Sequence, residues 1–121
     1  MTIATTHRLT IDRWHPPRIN EWDGYHWSRR AKLKRSDRDL VAVMGLIIPR
    51  AEGKRRVSLV LTLAPRQRGG DPDAYWKSLL DALTTCGLLV DDSRQWCELG
   101  TVEFERGQRR ATEIVLEDMT C

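Results

Sequence analysis

The sequence predicts a single α+β domain over residues 1–121, with the element order β-α-β-α-β-β and a small mixed sheet packed against two helices. Segments in which apolar and polar residues alternate, as in half-buried strands, are separated by two segments with apolar residues at helical spacing. A chain of 121 residues, 40% apolar and 31% charged, can build one compact core but not two.

The first half of the chain is predicted to contain a strand, a helix and a second strand. Residues 8–13 alternate polar and apolar, and Pro16-Pro17 end this strand because proline cannot donate to a sheet. A helix is predicted over residues 27–48, ended by Pro49, and the alternation in residues 57–64 predicts the second strand. The apolar face of this helix comprises Leu33, Leu40, Val43, Met44 and Ile47.

A second helix is predicted to begin at Asp71. The Asp71 side chain is a good N-cap, and Pro72 suits the first helical position. Gly87 is expected to end this helix, since glycine readily adopts the left-handed backbone of a helix C-terminus. Its buried stripe at positions i, i+3, i+4 and i+7 is Trp76, Leu79, Leu80 and Leu83.

Three further extended segments follow the second helix. Residues 88–90 are a short apolar run that is predicted to be a strand. Two longer strands are predicted at residues 96–105 and 109–117, with residues 106–108 as a hairpin turn between them.

Several classes of protein are excluded by the sequence. Cys86, Cys97 and Cys121 have no paired spacing and the three histidines are scattered, so we predict free thiols and neither disulfides nor a zinc site. The apolar run at residues 41–48 is far short of the roughly 20 residues needed to span a bilayer. The N-terminus lacks the charged start and apolar run of a signal peptide, so we expect a cytoplasmic protein that does not enter membranes.

Charge is divided unevenly along the chain. Residues 1–70 carry 15 Lys and Arg against 6 Asp and Glu, a net charge of +9, whereas residues 71–121 carry 5 against 11, or −6. This division predicts two surfaces with different tasks, although two solvated faces that happen to segregate would give the same pattern.

Carboxylates flank the second helix on both sides. Asp71 and Asp73 stand at its start with Lys77 one turn later, and Asp91 and Asp92 follow residues 88–90. If the chain returns along the sheet, the two pairs meet and form a site for Mg²⁺ or Mn²⁺, which prefer carboxylate oxygens. Such an ion can activate water against a phosphodiester, with Lys77 offsetting the developing charge. Alternatively, these residues are an ordinary helix start, an ordinary turn and an exposed lysine.

The basic half supplies a surface that suits nucleic acid. Its cations would contact backbone phosphates without reading the sequence, and Gly69 and Gly70 would let backbone amides approach a phosphate beside Asp71. The aromatic residues Trp14, Trp22, Tyr25 and Trp27 would stack on unpaired bases or anchor the core. The residues expected to bind nucleic acid are Arg29, Arg30, Lys32, Lys34, Arg35, Arg66 and Arg68.

Residues 68–93 combine the motifs RGGDPDAYWK (68–77), LDAL (80–83), Gly87 and VDDS (90–93), and HPPRIN stands at residues 15–20. These motifs resemble the signature of the RusA-type Holliday junction resolvases. That resemblance implies a small α+β homodimer, of a bacterial cell or a phage, that cuts four-way DNA junctions with Mg²⁺ or Mn²⁺ in recombination and repair. It implies catalysis by Asp71, Asp73, Asp92 and Lys77, and metal binding by Asp71, Asp73 and Asp92 with Asp91 in support.

One position departs from the pattern of that family. The residue after Asp73 is usually asparagine in the family, and here it is Ala74. The main alternative is therefore a module that binds DNA junctions on the same fold without cutting them. A further alternative is a protein–protein adaptor whose basic and acidic halves pair in a dimer.

Overall fold

Four strands form one mixed sheet in the computed structural model, which describes residues 2–19 and 21–120. Asn20 of the predicted loop motif and Cys121 lie outside these residues. The strands are β1 (Thr2–Asp12), β2 (Arg55–Leu63), β3 (Cys97–Arg106) and β4 (Ala111–Thr120), and the helices are α1 (Trp27–Met44) and α2 (Trp76–Thr85). A 3₁₀ turn over Pro72–Tyr75 leads into α2. The α+β class and the order β-α-β-α-β-β are confirmed.

The spatial order of the strands is β1-β4-β2-β3. β4 pairs antiparallel with both β1 and β2, whereas β2 and β3 pair parallel. β1 begins at Thr2 rather than at residue 8, because its first residues pair with the end of β4. The parallel β2–β3 pair, joined through α2, is the unit that positions the site described below.

The predicted hairpin between the last two strands is wrong. β2 lies between β3 and β4, and residues 107–110 cross the end of β2, where the Gly107 amide donates to the Leu63 carbonyl at 3.0 Å. Four residues suffice for this crossing, since two strand spacings amount to about 10 Å. A short link between two strands therefore joins strands that are not neighbours.

One face of the sheet carries the core. Alternate residues of β2 from Arg55 to Leu63 are buried, and the residues between them are half-exposed. The predicted stripe of α2 is confirmed, because Trp76, Leu79, Leu80 and Leu83 are all buried. Cys86 and Cys97 are free thiols, as predicted.

α1 is shorter and more exposed than predicted. It begins at Trp27, where the His26 ring accepts from the Ser28 amide, and it ends at Met44 because the chain turns at Gly45. Val41 is its one buried residue, whereas Val43 and Met44 are exposed and Ile47, beyond the helix, is 85% exposed. Within the described part of the chain, no helix is both long and apolar enough to cross a membrane.

The predicted strand at residues 88–90 is absent, and this segment forms bends. Gly87 has a φ of +84°, as predicted for the end of a helix, and the Leu88 and Leu89 amides both bond to the Leu83 carbonyl. Leu88 and Leu89 are buried in the core. Their apolar character thus reflects packing beneath the end of α2 and not membership of the sheet.

A buried guanidinium joins four segments at this end of the sheet. Arg55, at the start of β2, is 2% exposed and donates from Nε to the Asp118 carboxylate of β4 at 2.6 Å. Its other nitrogens donate to the Leu88 carbonyl at 3.0 Å and the Pro49 carbonyl at 2.8 Å. Burial favours a neutral Asp118, but the hydrogen bonds from Arg55 and His7 outweigh it and hold the pKa of Asp118 below its usual range.

We expect Arg55→Met to lower the free energy of unfolding by about 3 kcal/mol, because it leaves a half-exposed carboxylate and two carbonyls without their donor. Urea unfolding monitored by tryptophan fluorescence measures the loss. The matched control is Arg56→Met, which removes a half-exposed arginine paired with Glu98 at 2.7 Å and should lose much less. Equal losses in the two variants would contradict the role given to Arg55.

Candidate functional site

Asp71 and Asp73 are exposed at the start of the 3₁₀ turn that precedes α2. The Asp71 carboxylate accepts from the Asp73 amide at 3.0 Å, so Asp71 is an N-cap as predicted, but it caps the 3₁₀ turn. The α-helix itself begins at Trp76, later than predicted, and has no side-chain cap. Neither carboxylate forms a salt bridge within the described residues. One oxygen of Asp71 is thus engaged by the backbone, and the other carboxylate oxygens of the pair face solvent.

The loop before Asp71 is fixed against the far end of β3. The Gly70 amide donates to the Tyr75 hydroxyl at 2.9 Å, and the Tyr75 ring meets the Phe104 ring edge-on at 6.1 Å between centroids. A Cβ at Gly70 would come within 2.8 Å of the Arg18 side chain, so a larger residue would displace that arginine. The Gly70 amide is therefore bonded to Tyr75, and the expectation that it approaches a phosphate is not met.

Asp91 and Asp92 lie at the opposite end of α2. They line a surface cavity of about 320 Å³ together with Asp81, Thr84 and Thr85, on the second half of the helix. Asp92 is close to Cys97, the first residue of β3. Burial raises the pKa of the Cys97 thiol, and the charge of Asp92 raises it further.

The structure does not bring the two aspartate pairs together within one chain. Asp71 follows a loop that packs on Phe104, whereas Asp92 lies beside Cys97. Cys97 and Phe104 are seven residues apart along β3, a distance of about 23 Å. Among the described residues, no group of three or more acidic, histidine or cysteine side chains could hold a metal ion. The expected convergence relied on a return strand at residues 88–90, and that strand is absent.

Lys77 is exposed on the first turn of α2. It makes no salt bridge with Asp73 in the described residues, although the two are four positions apart. Instead it lines a cavity of about 200 Å³ with Arg30 and Lys34 of α1 and with Trp22. The lysine of α2 thus shares a surface depression with the cations of α1.

The cations expected to bind nucleic acid remain unpaired. Within the described residues none of them forms a salt bridge, and all are exposed except Arg30, which is half-exposed. Arg29 lies over the Tyr25 ring at 4.0 Å from its centroid, an arrangement that orients the guanidinium. This group comprises Arg29, Arg30, Lys32, Lys34, Arg35, Arg66 and Arg68.

The aromatic residues of the N-terminal loop have different environments. The Trp14 indole donates to the Asp37 carboxylate of α1 at 3.0 Å and ties the loop to the helix. Burial raises the pKa of Asp37, partly offset by this hydrogen bond. Trp27 is 69% exposed at the start of α1 and is free to contact a base, whereas Trp22 is half-buried.

His15 and Gln67 form a chain of hydrogen bonds beside the loop that precedes Asp71. The His15 Nε2–H donates to the Thr62 carbonyl at 2.7 Å, and the Gln67 amide lies 3.5 Å from His15 Nδ1. The Ala64 amide donates to the Gln67 side-chain oxygen, so the Gln67 nitrogen faces His15. Burial lowers the pKa of His15, and the charge of Arg110 lowers it further. His15 is therefore a neutral ring that holds the loop.

Three residues beside this loop were not expected from the sequence, namely Arg18, Gln67 and Arg110. They line a small cavity with Arg68 and Tyr75. Arg18 lies within the HPPRIN segment. Its position next to the two prolines was the one feature of the sequence that could have indicated its place at this loop. Nothing in the local pattern relates Arg110 to this loop, since it reaches the cavity only through the crossing of residues 107–110.

A scan against protein-family models and a search of the curated proteins found no match for this chain. The resemblance to RusA-type resolvases therefore rests on the motifs at residues 15–20 and 68–93. The candidate site is described by its own geometry: a solvent-facing aspartate pair, an adjacent lysine and a surface of unpaired cations.

We expect stability to depend on pH through His15. Because its pKa is lower in the folded chain than the ordinary 6.5, the unfolded chain binds the proton more readily. The His15 contribution is thus complete above pH 6.5 and is lost as pH falls from there toward the folded pKa. Urea unfolding at pH 8 and pH 5.5 should show a larger drop for wild type than for His15→Gln. A His15 pKa at or above 6.5, measured by NMR, would contradict this expectation.

Proposed function

We propose that this chain is a Mg²⁺- or Mn²⁺-dependent endodeoxyribonuclease that acts as a homodimer on four-way DNA junctions. The observation that carries the proposal is an exposed aspartate pair, Asp71 and Asp73, without cationic partners in the described residues, beside a surface of unpaired cations. Two exposed carboxylates on one turn favour a bound cation, and unpaired arginines and lysines favour a polyanion. The RusA-like motifs support the same conclusion.

The donor chemistry of the aspartate pair fits Mg²⁺. Magnesium in phosphoryl-transfer sites is commonly held by one or two carboxylates together with substrate phosphates and water. Asp71 and Asp73 supply two carboxylates of which one oxygen is engaged by the backbone. When bound, the ion supplies activation of the attacking water and stabilisation of the leaving oxygen.

Association of two chains would complete the acidic site. Asp71–Asp73 and Asp91–Asp92 are at opposite ends of the parallel strand pair, so a two-fold dimer with antiparallel chains can place one pair against the partner's other pair. Two equivalent sites then form, as symmetric cutting of a junction requires. Gly45 packs against Leu88, so the exposed apolar residues at the end of α1 lie next to the segment that leads to Asp91. Leu46, 79% exposed there, gives a second chain an apolar surface to cover.

The remaining residues have roles that follow from their positions. Lys77, one turn after Asp73, would offset negative charge that develops at the phosphorus. Arg30 and Lys34, which share a depression with Lys77, would hold the backbone of the bound strand. Trp27 would stack on a base exposed at the crossover, where base stacking between the arms is interrupted.

A module that binds junctions without cutting them is the second candidate. It is favoured by Ala74, which replaces the asparagine usual at this position in the resolvases that the chain resembles. It is also favoured by the absence, within one chain's described residues, of a group of three metal-binding side chains. Cleavage by the wild-type protein decides between the two candidates.

We expect Asp71→Asn and Asp73→Asn each to reduce nicking of a fluorescent four-way junction in Mn²⁺ by about 100-fold or more, because each removes a charged metal ligand. Junction binding should be retained, since the cationic surface is unchanged. Asp39→Asn, an exposed aspartate of α1, is the matched control and should nick normally. Binding by wild type without any nicking would support the non-cleaving module instead.

Mixing two inactive variants tests the shared site. In a heterodimer of Asp71→Asn with Asp92→Asn, one composite site carries both substitutions and the other carries neither. Random exchange should restore about a quarter of the wild-type sites, because half of the dimers are mixed. Restored nicking on mixing is the expected result, measured on the same junction. If the two variants stay inactive together, although native mass spectrometry with one variant ¹⁵N-labelled shows mixed dimers, each site lies within one chain.

A further inference from the structure

A small cavity, which we call the arginine pocket, is lined in part by Arg18 and Tyr75, two residues that contact Gly70. It is about 100 Å³ in volume and lies between the N-terminal loop, the loop after β2 and the link that leads to β4. The side chains that matter here are Arg18, Arg68, Arg110, Tyr75, Glu21 and His15. Its walls are formed by three segments that are far apart in the sequence.

The arginine pocket carries excess positive charge. Three arginines and one glutamate line it, and the glutamate contacts one of them, with Arg18 Nε and Glu21 Oε1 3.7 Å apart. Arg110 donates from Nε to the Arg13 carbonyl at 3.0 Å, and Arg68 forms no salt bridge in the described residues. His15 stays neutral because burial and Arg110 lower its pKa. The excess of about two charges favours an anion.

A buried hydroxyl adds a directed donor to these charges. Tyr75 is 4% exposed, and its oxygen accepts from the Gly70 amide at 2.9 Å. Its own proton has no acceptor among the described residues, so the hydroxyl can donate into the pocket. Guanidinium groups and a hydroxyl around one small space suit the oxygens of a tetrahedral oxyanion.

Size limits what this pocket can accept. A volume of about 100 Å³ is small beside the roughly 300–1,000 Å³ of typical ligand pockets, and it suits a group the size of a phosphate. Arg18, one of its walls, packs against Gly70, the residue before Asp71. A phosphate in the pocket would therefore lie close to Gly70, the residue that precedes Asp71.

We propose that the arginine pocket binds a backbone phosphodiester of the DNA strand, next to the phosphate that faces Asp71 and Asp73. This inference rests on the proposed function and adds the element that sets the register of the strand. The pocket flanks a site that would hold an uninterrupted DNA strand. A phosphate within the backbone is therefore favoured over the phosphate at a strand end.

The direct test uses the full-length, ¹⁵N-labelled protein in EDTA. The probes are the dinucleotide TpT, which carries one internal phosphodiester, thymidine 5′-monophosphate and thymidine. We expect TpT to shift the NMR signals of the Gly70 amide and of the Arg68 and Arg110 Nε–H groups, and thymidine to leave them unchanged. Shifts with the monophosphate alone would overturn the assignment to a backbone phosphate. The absence of shifts with either phosphate would overturn the pocket itself.

Substitutions of single arginines test whether the arginine pocket contributes to junction binding. Arg68→Ala should weaken metal-free binding of a four-way junction about tenfold, the cost of one charged hydrogen bond. The slope of log affinity against log salt should fall by about 0.9. Arg109→Ala, which removes an exposed arginine paired with Asp12 at 2.8 Å, is the matched control and should change neither value. Equal losses in the two variants would overturn the proposal, and thermal unfolding confirms that both variants are folded.

Measurements of TpT binding and of junction nicking test the phosphate pocket and the nuclease activity independently. Loss of TpT binding with intact nicking would overturn the pocket and leave the nuclease standing. Intact TpT binding in a protein that never nicks would overturn the nuclease, and would show that the phosphate site serves binding alone.

Discussion

The parallel pairing of β2 with β3 is the constraint on which the rest of the structure depends. Parallel neighbours require a crossover that carries the chain back to the end where it started. Here α2 is that crossover, and its 10 residues cover about 15 Å along the sheet. Residues before the helix therefore lie at one end of the sheet and residues after it at the other, so Asp71 and Asp92 are separated by the topology itself.

The separation is reinforced at the end of the sheet that carries Asp91 and Asp92. Arg55 holds the Leu88 carbonyl just after α2, together with the Pro49 carbonyl and the Asp118 carboxylate. Since Leu88 and Leu89 are also buried, the chain cannot leave this end without breaking the guanidinium contacts and opening the core. A site that uses both aspartate pairs therefore has to draw them from two chains, and symmetry supplies two such sites at once.

Much of the fold was predictable because it depends on local patterns of residues. The i, i+3, i+4, i+7 spacing of the α2 stripe, the Asp71 cap and the left-handed Gly87 are each set by a few neighbouring residues, and each is confirmed. Strand pairing is not local, which is why the link between β3 and β4 was interpreted as a hairpin. A run such as residues 88–90 is ambiguous, because a short apolar segment is buried equally well as a strand or as a bend beneath a helix.

The candidate site shows the same limit. Its residue types were evident from the sequence, as was the resemblance of their spacing to a nuclease signature. Their distribution over space was not evident, because it depends on which strands pair. Arg110 illustrates this, since it reaches the loop before Asp71 only through the crossing over β2.

The distribution of ion pairs explains why the molecule keeps so many unpaired charges. The described salt bridges of the sheet join β1 to β4, β2 to β3 and β2 to β4, as in Arg8–Glu113, Arg56–Glu98 and Arg55–Asp118. The cations of α1 and the aspartates that flank α2 take no part in them, although the chain has 17 acidic residues for its 20 basic ones. Like charges left together on one surface repel each other and lower stability unless an external ion of opposite sign binds. A polyanion would reduce the repulsion among the cations of α1, and a divalent cation would reduce the repulsion among the aspartates. Both ligands of the proposed nuclease would thus compensate charges that the described ion pairs leave unpaired.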